Sequence, residues 1–81
     1  MKSRTTKQFE ENYASLLKSL QKKTDKQLRF LLADLNHPSL HAKKYDESTD
    51  IWQARIDKKY RFYFKIDGNT YILIKIKTHK D

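Results

Sequence analysis

The first part of the chain carries its apolar residues at helical spacing. From residue 7 onward they recur every three or four positions, at Phe9, Tyr13, Leu16, Leu17 and Leu20. This spacing places them on one stripe of a helix with 3.6 residues per turn. It predicts a first helix over about residues 7–22.

The same spacing returns after a short polar segment, Lys22-Lys23-Thr24. Thr24 or Asp25 can cap the N-terminus of a second helix. The apolar positions of this helix are Leu28, Leu31, Leu32 and Leu35. We expect it to end near Asn36, before Pro38, and to pair antiparallel with the first helix. Each helix has one apolar stripe, so both helices need a further apolar surface to pack against.

Residues 51–77 change to a period of two, which is typical of strands. One side of the predicted strands carries Trp52, Ala54, Ile56, Phe62, Phe64, Ile66, Ile72, Ile74 and Ile76. Chain reversals are predicted at Asp57-Lys58-Lys59 and at Asp67-Gly68-Asn69, where Asp-Gly is a strong hairpin signal. The pattern therefore predicts an antiparallel meander of three strands.

Together these elements predict a single α+β domain over residues 1–81, with a two-helix hairpin packed on one face of a three- to four-stranded antiparallel sheet. Lys43 to Tyr45 and Lys2 to Thr6 are candidates for short additional strands. The helices are expected on the side of Trp52, Phe62 and Phe64, which leaves the other face of the sheet open.

The predicted open face is basic and carries aromatic rings. Alternation places Arg55, Arg61, Lys65, Lys75, Lys77, Tyr63 and Tyr71 on it. Cations bind phosphates and rings stack on bases, so such a face suits single-stranded nucleic acid. A solvated sheet face is the alternative, because antiparallel sheets often have one wet face.

Composition narrows the function classes. The 81 residues carry 18 Lys and Arg against 10 Asp and Glu, a net charge of +8 that favours phosphates or acidic proteins as partners. The absence of Cys excludes disulfides and thiolate metal sites. A single Gly excludes glycine-rich phosphate loops, and with them the common nucleotide cofactors. Apolar stretches no longer than four residues predict neither a membrane span nor a secretory signal.

The candidate acid–base residues are few. His37, His41 and His79 are the histidines, and His37 before Pro38 is expected to cap a helix or lie at the surface. Their spacing predicts no metal site. No Ser lies in a nucleophile-elbow context, so an enzyme of this sequence would take its nucleophile from the substrate. Cleavage of RNA through its own 2′-hydroxyl meets that condition.

Four segments resemble the RelE/ParE toxin superfamily of bacterial type II toxin–antitoxin systems. They are His37-Pro38-Ser39-Leu40, Asp50-Ile51-Trp52-Gln53-Ala54-Arg55-Ile56, Tyr60-Arg61-Phe62-Tyr63-Phe64 and Thr78-His79-Lys80-Asp81. The similarity spans nearly the whole chain. It implies the same fold of a helical hairpin on a sheet, with the active surface on the opposite face.

The resemblance also implies roles for individual residues. Arg61 matches an arginine that contacts the scissile phosphate, Arg55 matches a second basic position, and His79 matches a catalytic histidine. The general base stays open between His41 and Glu47. The remaining residues expected to contact RNA are Lys43, Lys44, Gln53, Tyr63, Lys65, Lys75 and Lys77. Gln53 departs from the pattern, since some relatives carry a basic residue there.

The function implied is a ribosome-dependent, metal-independent endoribonuclease that cuts mRNA in the ribosomal A site of the bacterial cytoplasm, without a cofactor. The implied partners are a cognate antitoxin, mRNA and ribosomal RNA, with oligomers formed only through the antitoxin. A ParE-like inhibitor of DNA gyrase and a non-catalytic antitoxin- or RNA-binding relic of the same fold are the alternatives.

Overall fold

A computed structural model describes residues 1–78 of the chain. Helix α1 spans Lys7–Ala14 and helix α2 spans Lys18–Ala33. Thr6 caps α1, because its side chain accepts a hydrogen bond from the Phe9 amide at 3.1 Å. Neither described helix is long and apolar enough to cross a membrane.

The predicted boundary between the helices is wrong. The chain leaves the helical conformation at Leu17, which has a ψ of 151°, and not at Lys22-Lys23-Thr24. Ser15 ends α1 by donating from its hydroxyl to the Glu11 carbonyl, and Gln21 donates from its side-chain amide to the Tyr13 carbonyl. These polar groups satisfy the carbonyls that a helix end leaves free. Leu17, which the spacing places in the apolar stripe, is instead 72% exposed.

The sheet has five strands in the described residues, in the spatial order β1-β5-β4-β3-β2. Their bounds are Lys2–Thr5 (β1), Lys43–Asp46 (β2), Ile51–Arg55 (β3), Tyr60–Asp67 (β4) and Thr70–Thr78 (β5). Both candidate short strands are therefore present. Neighbouring strands are antiparallel except β1, which runs parallel to β5. The expectation of a wholly antiparallel sheet is wrong at this edge.

The helices cover one face of the sheet, which confirms the α+β architecture. Phe62 and Phe64 at the centre of β4 have no exposed surface, and Phe9 of α1 and Leu31 of α2 are buried with them. A 3-10 turn, Pro38–Leu40, follows α2 and buries Leu40 in the same core. The opposite face carries no helix among the described residues and holds the polar side chains of β2, β3 and β4.

An irregularity in β5 changes which residues reach the core. Tyr63 pairs with Lys75, but the next residue of β4, Phe64, pairs with Leu73, so Ile74 is an extra residue in β5. Such a bulge reverses the alternation on one side of it. Tyr71 is therefore 4% exposed and packs edge-on against Phe64, with ring centroids 5.6 Å apart. The expectations that Tyr71 lies on the open face and Ile72 on the helix side are wrong.

Candidate active site

A polar cleft of about 420 Å³ opens on the sheet face that the helices do not cover. Its walls come from the segment after the 3-10 turn and from strands β2, β3 and β4. The lining residues are His41, Ala42, Lys43, Gln53, Ala54, Arg55 and Arg61. Five of them, all except the two alanines, are residues that the sequence marks as candidates.

Strand register brings the cationic residues together. Arg55 of β3 lies directly opposite Arg61 of β4, and Lys43 of β2 lies opposite Gln53. Directly opposed side chains have Cβ atoms about 4.5–5.5 Å apart, and like charges at that separation destabilise a sheet. The arrangement therefore lowers stability unless an anion lies between the charges.

Arg61 is fixed by neutral groups. Its side chain is 8% exposed, and Nη1 donates to the carbonyls of Asp57 at 2.6 Å, Tyr60 at 3.1 Å and Lys58 at 3.3 Å. The nearby carboxylate of Asp57 accepts instead from the amides of Lys59 and Tyr60 and pairs with Lys23 at 3.9 Å. The three carbonyls orient the guanidinium without neutralising it.

Arg55 carries an unsatisfied donor. Its Nε is buried and has no hydrogen-bond partner among residues 1–78. A buried donor left in this state costs about 1–3 kcal/mol. The ion pairs of the described chain are Lys23 with Asp57 and Lys44 with Asp50, so neither arginine of the cleft has a carboxylate partner. Phosphate oxygens would satisfy both the donor and the charge.

His41 enters the cleft from a left-handed backbone position. It follows Leu40 at φ 46° and ψ 43°, a region that His occupies more readily than most residues that carry a side chain. Among the described residues that line the cleft, it is the only histidine, and histidine is the side chain used most often for general acid–base catalysis. His41 is therefore the acid–base group that the geometry brings beside the two arginines.

Gln27 of α2 connects the helix layer to this site, and the sequence analysis missed it. The side chain is 4% exposed, and its Nε2 donates to the carbonyls of Arg55 at 2.8 Å and Ser39 at 3.0 Å. Its Oε1 accepts from the Ser39 hydroxyl at 2.9 Å. One buried amide thus holds β3 at Arg55 and the turn that leads to His41. The available signal was a polar residue in line with the apolar stripe, because Gln27 lies four residues before Leu31 and eight before Leu35.

Tyr63 is buried beside the cleft. It is 5% exposed, and burial, with a smaller contribution from Tyr45, raises its pKa, while the Arg61 charge opposes the rise. The ring lies under Lys75, whose Nζ is 5.3 Å from the ring centroid, and under the edge of Tyr45 at 5.0 Å. Tyr63 therefore stays protonated at neutral pH, and both neighbouring side chains cover its ring.

Several other predicted residues do not line the cleft. Glu47 is exposed in the turn between β2 and β3 and does not line it. Lys44 lies opposite Trp52, with Nζ 5.7 Å from the Trp52 ring centroid and 2.7 Å from Asp50 Oδ1. Lys65 is exposed on β4, and Lys77 is exposed on β5, where it lies directly opposite Arg61 without lining the cleft.

Neither of the other two histidines is among the described residues that line the cleft. His79 lies beyond the described residues. His37 caps the 3-10 turn, since its Nδ1 accepts from the Ser39 amide at 3.2 Å, and its ring stacks on Phe30 at 3.8 Å. Within residues 1–78, no three or more His, Asp or Glu side chains are grouped so that they could hold a metal ion.

Solved structures share this architecture. A YoeB/ParE toxin from Agrobacterium tumefaciens superposes with a TM-score of 0.82 at 16% identity, over 99% of this chain and 100% of that one. The Staphylococcus aureus YoeB-YefM toxin-antitoxin complex gives 0.78 at 18% identity, over 99% and 98%. The archaeal RelE-RelB complex from Pyrococcus horikoshii gives 0.79 at 17% identity, over 95% and 92%.

No protein-family model and no curated protein sequence matches the chain. The likeness is therefore one of structure, and it extends over the whole length of these toxins rather than over one motif. The chain has the fold of the RelE/ParE toxin superfamily.

Proposed function

We propose that the chain is the toxin of a type II toxin–antitoxin system and that it cuts mRNA on the ribosome. One observation carries this proposal. The uncovered sheet face holds a cleft in which two arginines without carboxylate partners, one of them with an unsatisfied Nε, lie beside a histidine. Positive charge fixed before the substrate arrives is the arrangement that stabilises a phosphoryl transition state.

The reaction follows from these groups. His41 accepts the proton of the RNA 2′-hydroxyl as that oxygen attacks the adjacent phosphorus. Arg55 and Arg61 stabilise the negative charge that builds on the phosphate oxygens. The bond from phosphorus to the 5′-oxygen then breaks, and His79 supplies a proton to the departing oxygen. The products are a 2′,3′-cyclic phosphate and a 5′-hydroxyl, and no metal ion takes part.

The choice of general base is supported by position. His41 lines the cleft with both arginines, whereas Glu47 is exposed in a turn and does not line it. A base has to reach the proton that it removes, so geometry is considered before pKa. We therefore assign the base role to His41 and none to Glu47.

The proposed partners follow from charge and from the structural neighbours. The YoeB and RelE structures are complexes with YefM and RelB. A net charge of +8 favours an antitoxin segment that is acidic and amphipathic, since charge complementarity speeds association and the apolar face adds buried area. Oligomers would form through this antitoxin, in the bacterial cytoplasm. Lys65, Lys75 and Lys77 would contact mRNA and ribosomal RNA.

The test is to map mRNA 5′ ends in a bacterial cell-free translation reaction with the purified protein. Arg55→Met is the informative variant, because Arg55 Nε has no partner in the described chain that its removal would leave unpaired. Loss of one transition-state donor lowers such rates by about 10²–10³-fold. Arg29→Met removes the same charge from an exposed site on α2 and should cut at the wild-type rate.

New ends on translated messages, reduced by Arg55→Met and not by Arg29→Met, support the nuclease. Intact messages with undisturbed translation contradict it. A gyrase supercoiling assay then separates the two alternatives, since a ParE-like protein inhibits supercoiling and a binding relic does not. Arg61→Ala is the weaker probe, because it also releases three carbonyls of the β3–β4 turn.

A further inference from the structure

Tyr45 presents an exposed aromatic ring beside the cleft. Lys44 pairs with Trp52 and Asp46 pairs with Ile51, so Tyr45 is an extra residue in β2. Its side chain lies on the uncovered face, as does that of Lys43 two residues earlier, and the ring is 57% exposed. The ring meets the buried Tyr63 edge-on, with centroids 5.0 Å apart and an interplanar angle of 72°.

The ring is held rather than free. Tyr63 is 5% exposed and is itself covered by Lys75, so a packed surface lies under Tyr45. Aromatic pairs in this edge-to-face arrangement attract each other beyond the area that they bury. One side of Tyr45 is thus fixed by protein and the other faces solvent.

The position of the ring matches the proposed phosphate site. Lys43, two residues before Tyr45, lines the cleft, and Tyr63 follows Arg61 by two residues on β4. Tyr45 lies at the level of Ile51 and Trp52 on β3, and Trp52 is three residues, or about 10 Å along the strand, from Arg55. An RNA strand held at the two arginines therefore reaches the ring within a few nucleotides. Lys43 and Lys75 flank it, neither with a carboxylate partner among residues 1–78. The positive charge of these two lysines favours a polyanionic RNA strand as the ligand. An acidic side chain of a protein partner is a poorer match, because the partner would also need an apolar groove.

We propose that Tyr45 is the platform on which a nucleobase of single-stranded RNA stacks, on the same sheet face as the phosphate bound by Arg55 and Arg61. The location of that phosphate rests on the proposed function. Stacking tolerates every base, so Tyr45 supplies affinity and fixes which phosphate enters the cleft. Tyr63, expected from the sequence to contact RNA, instead supports the ring that does so.

The test is a binding measurement with short single-stranded RNA that carries 2′-O-methyl groups at every position and therefore cannot be cleaved. Tyr45→Leu keeps an apolar side chain at the strand edge but removes the ring. We expect it to weaken binding by about 5- to 150-fold, the range of one stacked base. Tyr45→Phe should bind as the wild type does. Leu17→Ala, at an exposed apolar residue between the two helices, should change nothing.

A second series locates the stacked base. The RNA is made with an abasic sugar at one position at a time, and each RNA is measured with the wild type and with Tyr45→Leu. At the stacked position the effect of Tyr45→Leu should disappear, whereas at all others it should persist. This coupling depends on the base and the ring together, so partial unfolding of a variant cannot produce it.

The outcomes separate this inference from the nuclease itself. Arg55→Met could weaken RNA binding while Tyr45→Leu does not, or the effect of Tyr45→Leu could persist at every abasic position. Either result contradicts the stacking platform and leaves the proposed phosphate site unaffected. If Tyr45→Leu loses only antitoxin binding, the ring is a contact for protein and the inference is overturned. The inference is also overturned if the wild-type protein binds no RNA. Coupling at one position together with intact messages supports the platform and contradicts the cleavage proposal.

Discussion

The two faces of the sheet differ in whether their charged groups have partners of opposite charge. On the helix side and its rim, Lys23 and Lys44 pair with carboxylates, and Tyr13 donates to Asp25 at 2.8 Å. On the uncovered face, Arg55 and Arg61 lie directly opposite each other without a carboxylate from the described residues. Lys43 and Lys44 show the difference at neighbouring positions of β2, since Lys44 pairs with Asp50 and Lys43, in the cleft, has no ion pair with a described residue.

This contrast identifies which charges serve the fold. The paired groups stabilise the folded chain in the absence of any ligand, although exposed pairs contribute little. The opposed arginines raise it, and one of them holds a buried unsatisfied donor. A feature that lowers stability and recurs at neighbouring positions in one cleft is expected where function requires it. The predictions below test this contrast between a face that stabilises the fold and a face that binds a ligand.

The largest expected effect is at the centre of the covered face. Phe62 of β4 has no exposed surface and packs against Phe64, with ring centroids 5.7 Å apart. Phe62→Ala should lower the free energy of unfolding by about 3–5 kcal/mol, because it removes buried apolar area and leaves a cavity. Urea denaturation followed by circular dichroism measures this change.

A control for Phe62 lies on the same strand. Ile66→Ala, at a side chain that is 38% exposed, should cost clearly less than Phe62→Ala. Equal costs at the two positions would mean that the core is not centred on β4 as described. Arg55→Met should leave the unfolding free energy unchanged or raise it, since it removes an unsatisfied donor and a like charge.

The next effect concerns the link between the faces. Gln27→Leu keeps the volume of the side chain but leaves two carbonyls and one hydroxyl without partners, so we expect a loss of about 1–3 kcal/mol. Thr24→Val is the matched control on α2, because the Thr24 hydroxyl bonds only to Leu20 within the helix. Thermal denaturation of both variants measures the difference. A Thr24→Val loss as large as that of Gln27→Leu would show that the bridge to β3 adds nothing.

How much of this could be read from the sequence depends on the kind of pattern. The alternation of Trp52, Ala54, Phe62 and Phe64 gave the correct face for each, and with it the cleft positions of Arg55 and Arg61. The β3–β4 pair permits this, because it has no bulge between Trp52 and Arg55, so the period of two holds along both strands. The Asp-Gly turn between β4 and β5 is also present as predicted, and Gly68 adopts a positive φ of 59° there.

The errors arose where the period breaks. Ile74 in β5 and Tyr45 in β2 are each one residue more than the partner strand has, and neither bulge has a Gly or Pro to mark it. Alternation across the β5 bulge therefore put Tyr71 on the wrong face, whereas Tyr45 lies on the face that alternation from Lys43 gives and was assigned no role. The helix break at Leu17 was missed for a related reason, because the capping groups of Ser15 and Gln21 act through tertiary and local hydrogen bonds that apolar spacing does not record.

The smallest expected effect is at the rim, where Asp50 pairs with Lys44. The Lys44 hydrogen bond and charge lower the pKa of Asp50 below its usual 3.8. A lowered pKa means that the pair stabilises the fold above that value and that its contribution is lost as the pH falls through the pKa of the folded protein. Asp50→Asn keeps the left-handed backbone at φ 56°, which Asn also tolerates, and removes only the charge.

We therefore expect Asp50→Asn to lower the midpoint of thermal denaturation slightly at neutral pH and not at all in acid well below the ordinary Asp pKa of 3.8. Added salt should reduce the neutral-pH difference, because both partners are reached by solvent. Asp67→Asn removes the same charge from an exposed position in β4 without an ion pair in the described chain, and serves as the control. A difference that persists in acid would attribute the effect of Asp50 to the turn backbone rather than to its pairing with Lys44, and the charges of the rim would then contribute nothing measurable to the fold.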